Sequence, residues 1–347
     1  MSERKNPLLA LTQARIREFV REPEALFWVF VFPILMAVVL GFAFRDRPPD
    51  PVPVGVVGPG AAALEEALTK AGTTKPQTYA TPPEGLAALR TGKIALLVEE
   101  SGTNDLVYHF DPTRPDARIA RLEVDDAIQR ARGRTDPTPA EETLVHEKGS
   151  RYIDFLLPGI LGLNLMGTGI WGVGFSIVNA RLKKTLKVMV ATPMRKSDFL
   201  LAQMLSRFLF LILEVGLILA FGVVAFQVPI RGSLSVVGLT TILGSLCFAG
   251  IGLLVAARAR TLEAASGLMN LVMVPMWLLS GVFFSSDRFP KAAQPVIQAL
   301  PLTALNNALR AVMLEGKTLA AVSGELLIVT IWGILAFAAA LKIFRWQ

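Results

Sequence analysis

ALFWVFVFPILMAVVLGFAF, residues 25–44, runs for 20 residues without a charge. A helix rises about 1.5 Å per residue, so about 20 apolar residues cover a hydrocarbon core of roughly 30 Å. Three further stretches are as long and equally uncharged: Phe155 to Ala180, Gly232 to Ala257 and Ala264 to Ser286. Phe199 to Gln227 carries only Arg207 and Glu214, and Thr318 to Phe344 only Glu325 and Lys342, so both also count as spans. Composition agrees, since 52% of the 347 residues are hydrophobic and 18% charged, against about 25% charged in soluble domains. The expected fold class is an α-helical polytopic membrane protein. Its six transmembrane helices are placed at 25–44, 152–180, 199–227, 232–257, 264–286 and 318–344. The first is not read as a cleaved signal peptide, because 24 mostly polar residues precede it and GFAFRDRPP is no small-residue cleavage site.

Orientation follows from the short loops. Lys and Arg number five in residues 1–24 and six in 181–196, with two more at Arg258 and Arg260 and two at Lys342 and Arg345. The opposite loops hold only Arg231, Arg288, Lys291, Arg310 and Lys317. The positive-inside rule then puts both termini in the cytoplasm and the long segment 45–151 outside. The net charge of +7 is thereby assigned to topology, not to nucleic-acid binding. The single Cys247 sits in an apolar run and gives no disulfide framework.

Segment 45–151 reads as a folded soluble domain, with 14 Lys/Arg and 17 Asp/Glu. VPVGVV (52–57) is a strand, residues 61–72 are a helix ending at Gly72, and 82–92 are a second helix starting on prolines. KIALLVE and LVYHF are two strands separated by the turn residues SGTND, and a helix over 115–131 completes a small α/β module. Residues 132–150 tether it to the second span. Ahead of the first span, within residues 1–24, Leu9, Thr12, Ile16, Phe19 and Val20 share one face of an interfacial helix. Residues 287–317 are too broken by proline to cross a bilayer and too apolar for an exposed loop, so they are expected to form a re-entrant helical hairpin.

RLKKTLKVMVATPMRK (181–196) is a loop of six Lys/Arg and no acid between spans two and three. As a helix it sets Leu182, Leu186, Met189 and Val190 opposite Lys183, Lys184 and Lys187, and Thr192 and Pro193 end it. Two readings stand: a topological anchor whose lysines touch lipid phosphates, or a docking helix for a soluble partner. NARLKKTLKVMVATPMRKSDFLLAQ resembles the coupling-helix region of ABC-2 type (type V) exporter permeases. LVAARARTLEAASGLMNLVMVPMWLLSGVFF is similar to that family's second cytoplasmic turn and fifth span, and LPLTALNNALRAVML to its outer hairpin. The large segment after span one resembles that of a bacterial subgroup. One departure stands out: where many members carry a coupling-helix acid in a GTLE-like context, this chain has Thr185, Leu186 and Lys187.

The resemblance implies two permease chains, each driven by a separate cytoplasmic ABC ATPase subunit, in a bacterial inner membrane. Cargo would be amphipathic: a lipid, lipopeptide or drug. The ATPase contacts would be Arg181, Lys183, Lys184, Lys187, Met189, Thr192 and Pro193, with Arg258, Arg260 and Glu263 at the second turn. ATP and Mg would bind the partner, and no cofactor this chain. GLAALRTGKI (85–94) fails as a phosphate loop, with six residues between its glycines and no Ser/Thr after Lys93. No catalytic residues are expected, since no nucleophile elbow or paired carboxylates appear. The competing class is a membrane receptor or scaffold whose basic loop recruits a cytoplasmic protein.

Candidates for the translocation path are Asn164, Gly167, Gly169, Glu214, Asn270 and Pro275. Arg207 and Glu214 lie on one helical face two turns apart, and ionisable groups at membrane depth face protein or a water cavity. For Arg207, snorkelling to the surface is the plainer reading. For Glu214 it is a buried structural bond, with lining the path as the alternative. The glycines of GILGLNLMGTGIWGVG (159–174) permit close helix packing or a flexible pathway helix. His109 and His146 stand alone and support no metal site.

Overall fold

The fold is that of a computed structural model, which describes residues 7–44, 51–101, 105–135, 138, 149, 151–182, 196–259 and 261–343. Along the chain come α1 (Pro7–Val20), α2 (Pro23–Ala43), β1 (Val52–Val57), α3 (Ala61–Ala71), β2 (Thr74–Thr78), α4 (Pro82–Arg90), β3 (Leu96–Glu100), β4 (Leu106–Phe110) and α5 (Pro115–Ala131). Then follow α6 (Tyr152–Leu182), α7 (Lys196–Phe226), α8 (Leu234–Arg258), α9 (Leu262–Leu279), α10 (Gln294–Ala299), α11 (Pro301–Met313) and α12 (Ser323–Ile343). The chain divides into two compact units, one of residues 46–145 and one of the rest. Among the described residues, six helices are long and apolar enough to cross a membrane: α2, α6, α7, α8, α9 and α12.

In the smaller unit the sheet order is β2-β1-β3-β4, parallel except for the antiparallel β3–β4 pair. Alternation along β1 and β3 sends Val54, Val56, Leu96 and Val98 to one face, where Leu64, Leu68, Val124 and Ile128 of α3 and α5 cover them. The other face holds Val57, Ile94 and Leu97 under α4. Gly72 ends α3 with φ +73°, a left-handed cap open to glycine at no steric cost.

The larger unit is organised around α6. Of its apolar window 89% is buried inside the protein, against 17–56% for the other five candidate spans. Glycine makes this centrality possible. A Cβ at Gly169 would lie 2.6 Å from Phe248 Cβ, and one at Gly159 would lie 2.5 Å from the Val282 carbonyl oxygen. Gly167 and Gly172 face open space. The glycine-rich stretch thus has both close-packing and open positions.

One helix boundary and one helix face differ from the expectation. The fifth apolar run was expected to continue to Ser286, but α9 stops at Leu279 and the chain turns through Gly281 at φ +68°. The turn is held from α11: Asn306 Nδ2 donates to Ser280 O at 3.1 Å, and Arg310 Nη2 to Gly281 O at 2.5 Å. Proline breaks residues 287–317 into α10 and α11, the second almost wholly buried. On α1, Thr12 is buried while Leu9 and Val20 of the expected apolar face are exposed, and Phe19 packs on Phe210 of α7 with centroids 4.2 Å apart.

Arg310 also donates through Nε to Phe155 O at 3.2 Å, its guanidinium lying 3.6 Å from the Phe155 ring centroid. It clamps α6, α11 and the turn after α9 without a carboxylate. Arg310→Ala leaves two buried carbonyls without this donor and is expected to destabilise the unit by about 2–4 kcal/mol. Thermal unfolding in detergent reads this as a lowered midpoint, with Arg310→Lys intermediate.

Candidate functional site

One cluster of buried polar groups in the larger unit lies where α2, α6 and α7 meet. Pro33 in α2 has no N–H, so the carbonyl four residues earlier, that of Val29, loses its helical donor. The helix widens there into a π turn over Phe27–Val31. The Val29 oxygen is answered from outside, by Asn164 Nδ2 of α6 at 3.1 Å. The expected path residue Asn164 is thus engaged with the protein's own backbone.

One turn further along α6, a second π turn spans Thr168–Val173. Thr168 Oγ1 lies 2.8 Å from Asn164 O and 3.0 Å from Glu214 Oε1, and accepts from Arg207 Nη2 at 2.5 Å. Its single proton serves either Asn164 O or Glu214. Arg207 Nη1 stands 3.6 Å from Glu214 Oε2, with the Glu214 side chain fully buried and that of Arg207 21% exposed. Arg207 therefore reaches along α7 to its own acid and to α6 instead of snorkelling away. A charge held this way is stable only while its partners stay in place, because desolvation is offset by the pairing and by the Thr168 hydrogen bonds.

The other candidates lie elsewhere. Gly169 is used in packing and Gly167 is open. Asn270 and Pro275 are exposed on α9, opposite the buried Ala265, Met269, Met273 and Met276. Arg181 ends α6 with Nη1 donating to Ala256 O at 3.2 Å and Ala259 O at 2.9 Å, which caps the C-terminus of α8. Arg258 and Glu263 are exposed, and Thr261 caps α9 through Ala264 N at 3.2 Å. Lys183, Lys184, Lys187, Met189, Thr192, Pro193 and Arg260 fall outside the described residues, as does His146.

In the smaller unit His109 pairs with Glu99 at 2.9 Å, and no cluster of three metal-ligating side chains occurs among the described residues. The crevice between the ends of β1 and β3, where doubly wound sheets bind ligands, holds the Glu100–Arg132 ion pair at 2.7 Å. Glu100 lies so close over Gly60 that a Cβ there would strike its carboxylate. AVMLEGKT (311–318) comes nearer to phosphate-loop spacing than residues 85–94 do. It follows a helix instead of a strand, and Lys317 Nζ is bonded to Glu315 at 2.8 Å, so it forms no phosphate cradle.

Thr168 and Arg310 escaped the sequence reading. Their signal was polar residues at helical spacing on apolar helices: Asn164 with Thr168, and Thr303 with Asn306 and Arg310. Five apolar helices around a buried sixth, a polar cluster among three of the six and an inserted α/β unit fit the membrane subunit of a transporter.

A sequence profile of the ABC-2 family transporter proteins matches residues 23–342, and the chain belongs to that family. It is 24% identical over 350 residues to the probable multidrug ABC transporter permease YbhS of Escherichia coli K12, covering 90% of this chain and 91% of that one. The inner membrane transport permease YhhJ of the same strain is 24% identical over 234 residues, covering 65% and 61%. ABC transporter G family member 20 of Dictyostelium discoideum is 30% identical over 176 residues, half of this chain and 24% of that longer protein. The chain is accordingly a multi-pass ABC-2 permease, homologous to multidrug permeases. Such permeases work with ATPase subunits, and no cofactor is expected in the permease itself.

The proline and the amide form a testable pair. Asn164→Ala leaves the Val29 carbonyl without a donor in an apolar setting, with an expected loss of about 1–3 kcal/mol. In a Pro33→Ala background residue 33 regains its N–H, and the same substitution is expected to cost less than half as much by thermal unfolding.

Proposed function

We propose that this chain is the membrane half of an ATP-driven exporter of an amphipathic substrate, a lipid, lipopeptide or drug. In this reading the chain sits in a bacterial inner membrane with both termini cytoplasmic. An ABC ATPase subunit docks on residues 181–193, and on the turn from Arg258 through Arg260 to Glu263. The observation that carries the reading is Arg181. Its guanidinium bonds the end of α6, which enters the basic segment, to the last carbonyls of α8, which enters the turn. A push on either segment is therefore felt at both. α6 carries it inward to Asn164 and Thr168, and so to the Arg207–Glu214 pair of α7.

A second permease chain, identical or similar, completes the pathway. Support comes from α9, where the polar Asn270 is exposed among Leu271, Val274 and Leu278. An exposed amide at the middle of a span is costly against lipid and better satisfied against protein.

Replacing Lys183, Lys184 and Lys187 together by Glu is expected to remove the ATPase from the tagged permease on purification, while the chain still inserts. Unchanged co-purification would return the basic segment to a topological anchor. An ATPase absent from the wild-type eluate as well would favour the receptor or scaffold reading. Glu214→Gln is expected to change substrate-stimulated hydrolysis in the reconstituted complex while basal hydrolysis stays within about twofold, a difference of roughly 0.4 kcal/mol. Equal stimulation in both proteins would leave Glu214 with a structural role alone.

A further inference from the structure

Where α10 and α11 meet α12, a groove opens on the surface of the larger unit. Its polar end, of about 280 Å³, is lined by Gln298, Asn307 and Glu325 with Ile328. Its apolar end, of about 370 Å³, is lined by Ile328, Ile331 and Trp332 with Gln298 again at the rim. Both volumes are near the lower bound of about 300 Å³ for small-molecule sites. Trp332 Nε1 donates to Ala299 O at 2.8 Å, and Asn307 Nδ2 to Gln298 Oε1 at 3.3 Å, so ring and rim are held in place.

Along α12 the lining runs from Glu325 at the polar end to Trp332 at the apolar end. α12 is a candidate span from Ala320, and the seven residues from Glu325 to Trp332 cover about 10 Å of helix. A charged end near the limit of the span thus leads into hydrocarbon. None of the described lining residues is a cation: Arg310, three residues past Asn307, is bonded to the Phe155 and Gly281 carbonyls, and Lys317, which also feels the Glu325 charge, is held by Glu315. Glu325 is the one carboxylate in the lining. The chemistry matched is an ammonium group above an alkyl chain.

We propose that this groove is a binding site for a membrane phospholipid with a primary-amine headgroup. The ammonium pairs with Glu325 and one acyl chain lies along Ile328, Ile331 and Trp332. The bilayer is the source because the groove opens beside Leu327, Ile334 and Leu335 of α12, each more than half exposed, and a lipid reaches it by lateral diffusion. The site belongs to the helical unit and does not depend on the transport reading.

The test is native mass spectrometry of the detergent-purified full chain, without ATPase, given equal amounts of phosphatidylethanolamine and phosphatidylglycerol. Retention is expected to favour phosphatidylethanolamine by about fivefold, the ratio given by one partly exposed ion pair. Glu325→Gln is expected to bring the ratio to about one and Ile328→Trp to reduce both adducts. Equal retention by the wild type, or a preference that survives Glu325→Gln, overturns the proposal. So does a chain dimer broken by Ile328→Trp with no lipid adduct, which assigns the groove to a second copy. Failure here leaves the exporter reading untouched, since no ATPase is in the assay.

Discussion

In hydrocarbon a backbone carbonyl released from its helix has no water to turn to, and the larger unit is arranged around that constraint. Pro33 releases the Val29 carbonyl, Asn164 answers it, and the position of α2 against α6 is thereby specified to within a hydrogen bond. Thr168 extends the same line of polar atoms to α7. A purely apolar contact among these three helices would hold them with little preference for register, because lipid tails are as apolar as Leu.

Arginine performs the corresponding task at the helix ends. Arg151 donates to the Phe226 and Gln227 carbonyls at the end of α7, Arg181 to those at the end of α8, and Arg310 to Phe155 and Gly281. The planar guanidinium offers five donors in a fixed fork, so one side chain serves two carbonyls at once. Each of the three ties a helix end to a distant part of the chain. A Lys at these places would supply charge without the fork.

How much of this was legible in the sequence depends on the range of the interaction. The six apolar runs and the alternation in VPVGVV and LVYHF are local patterns, and six helices and the strands β1, β3 and β4 follow from such signals, whereas TKPQT, which forms β2, has no apolar alternation. The Arg207–Glu214 face is also local, since seven residues make two turns. Which helix answers Val29 is not local: the proline announces a free carbonyl, but the responding amide lies 135 residues away. The end of α9 at Leu279 was half legible: LSG at 279–281 reads as a turn in the family resemblance, while the apolar run itself goes on to Ser286. FFSS continues the apolar run, and only Asn306 and Arg310, contributed by α11, make the turn at Gly281 preferable to another turn of helix.

The Arg310 clamp also bears on biosynthesis. Its carbonyl partners at Phe155 and Gly281 are 155 and 29 residues earlier in the chain. Five of the six apolar helices have therefore been synthesised before the residue that ties α6 to α11 and to the turn after α9 exists. Insertion and final closure are separate events in this molecule, and the late arrival of α11 decides when the nascent bundle becomes a finished one.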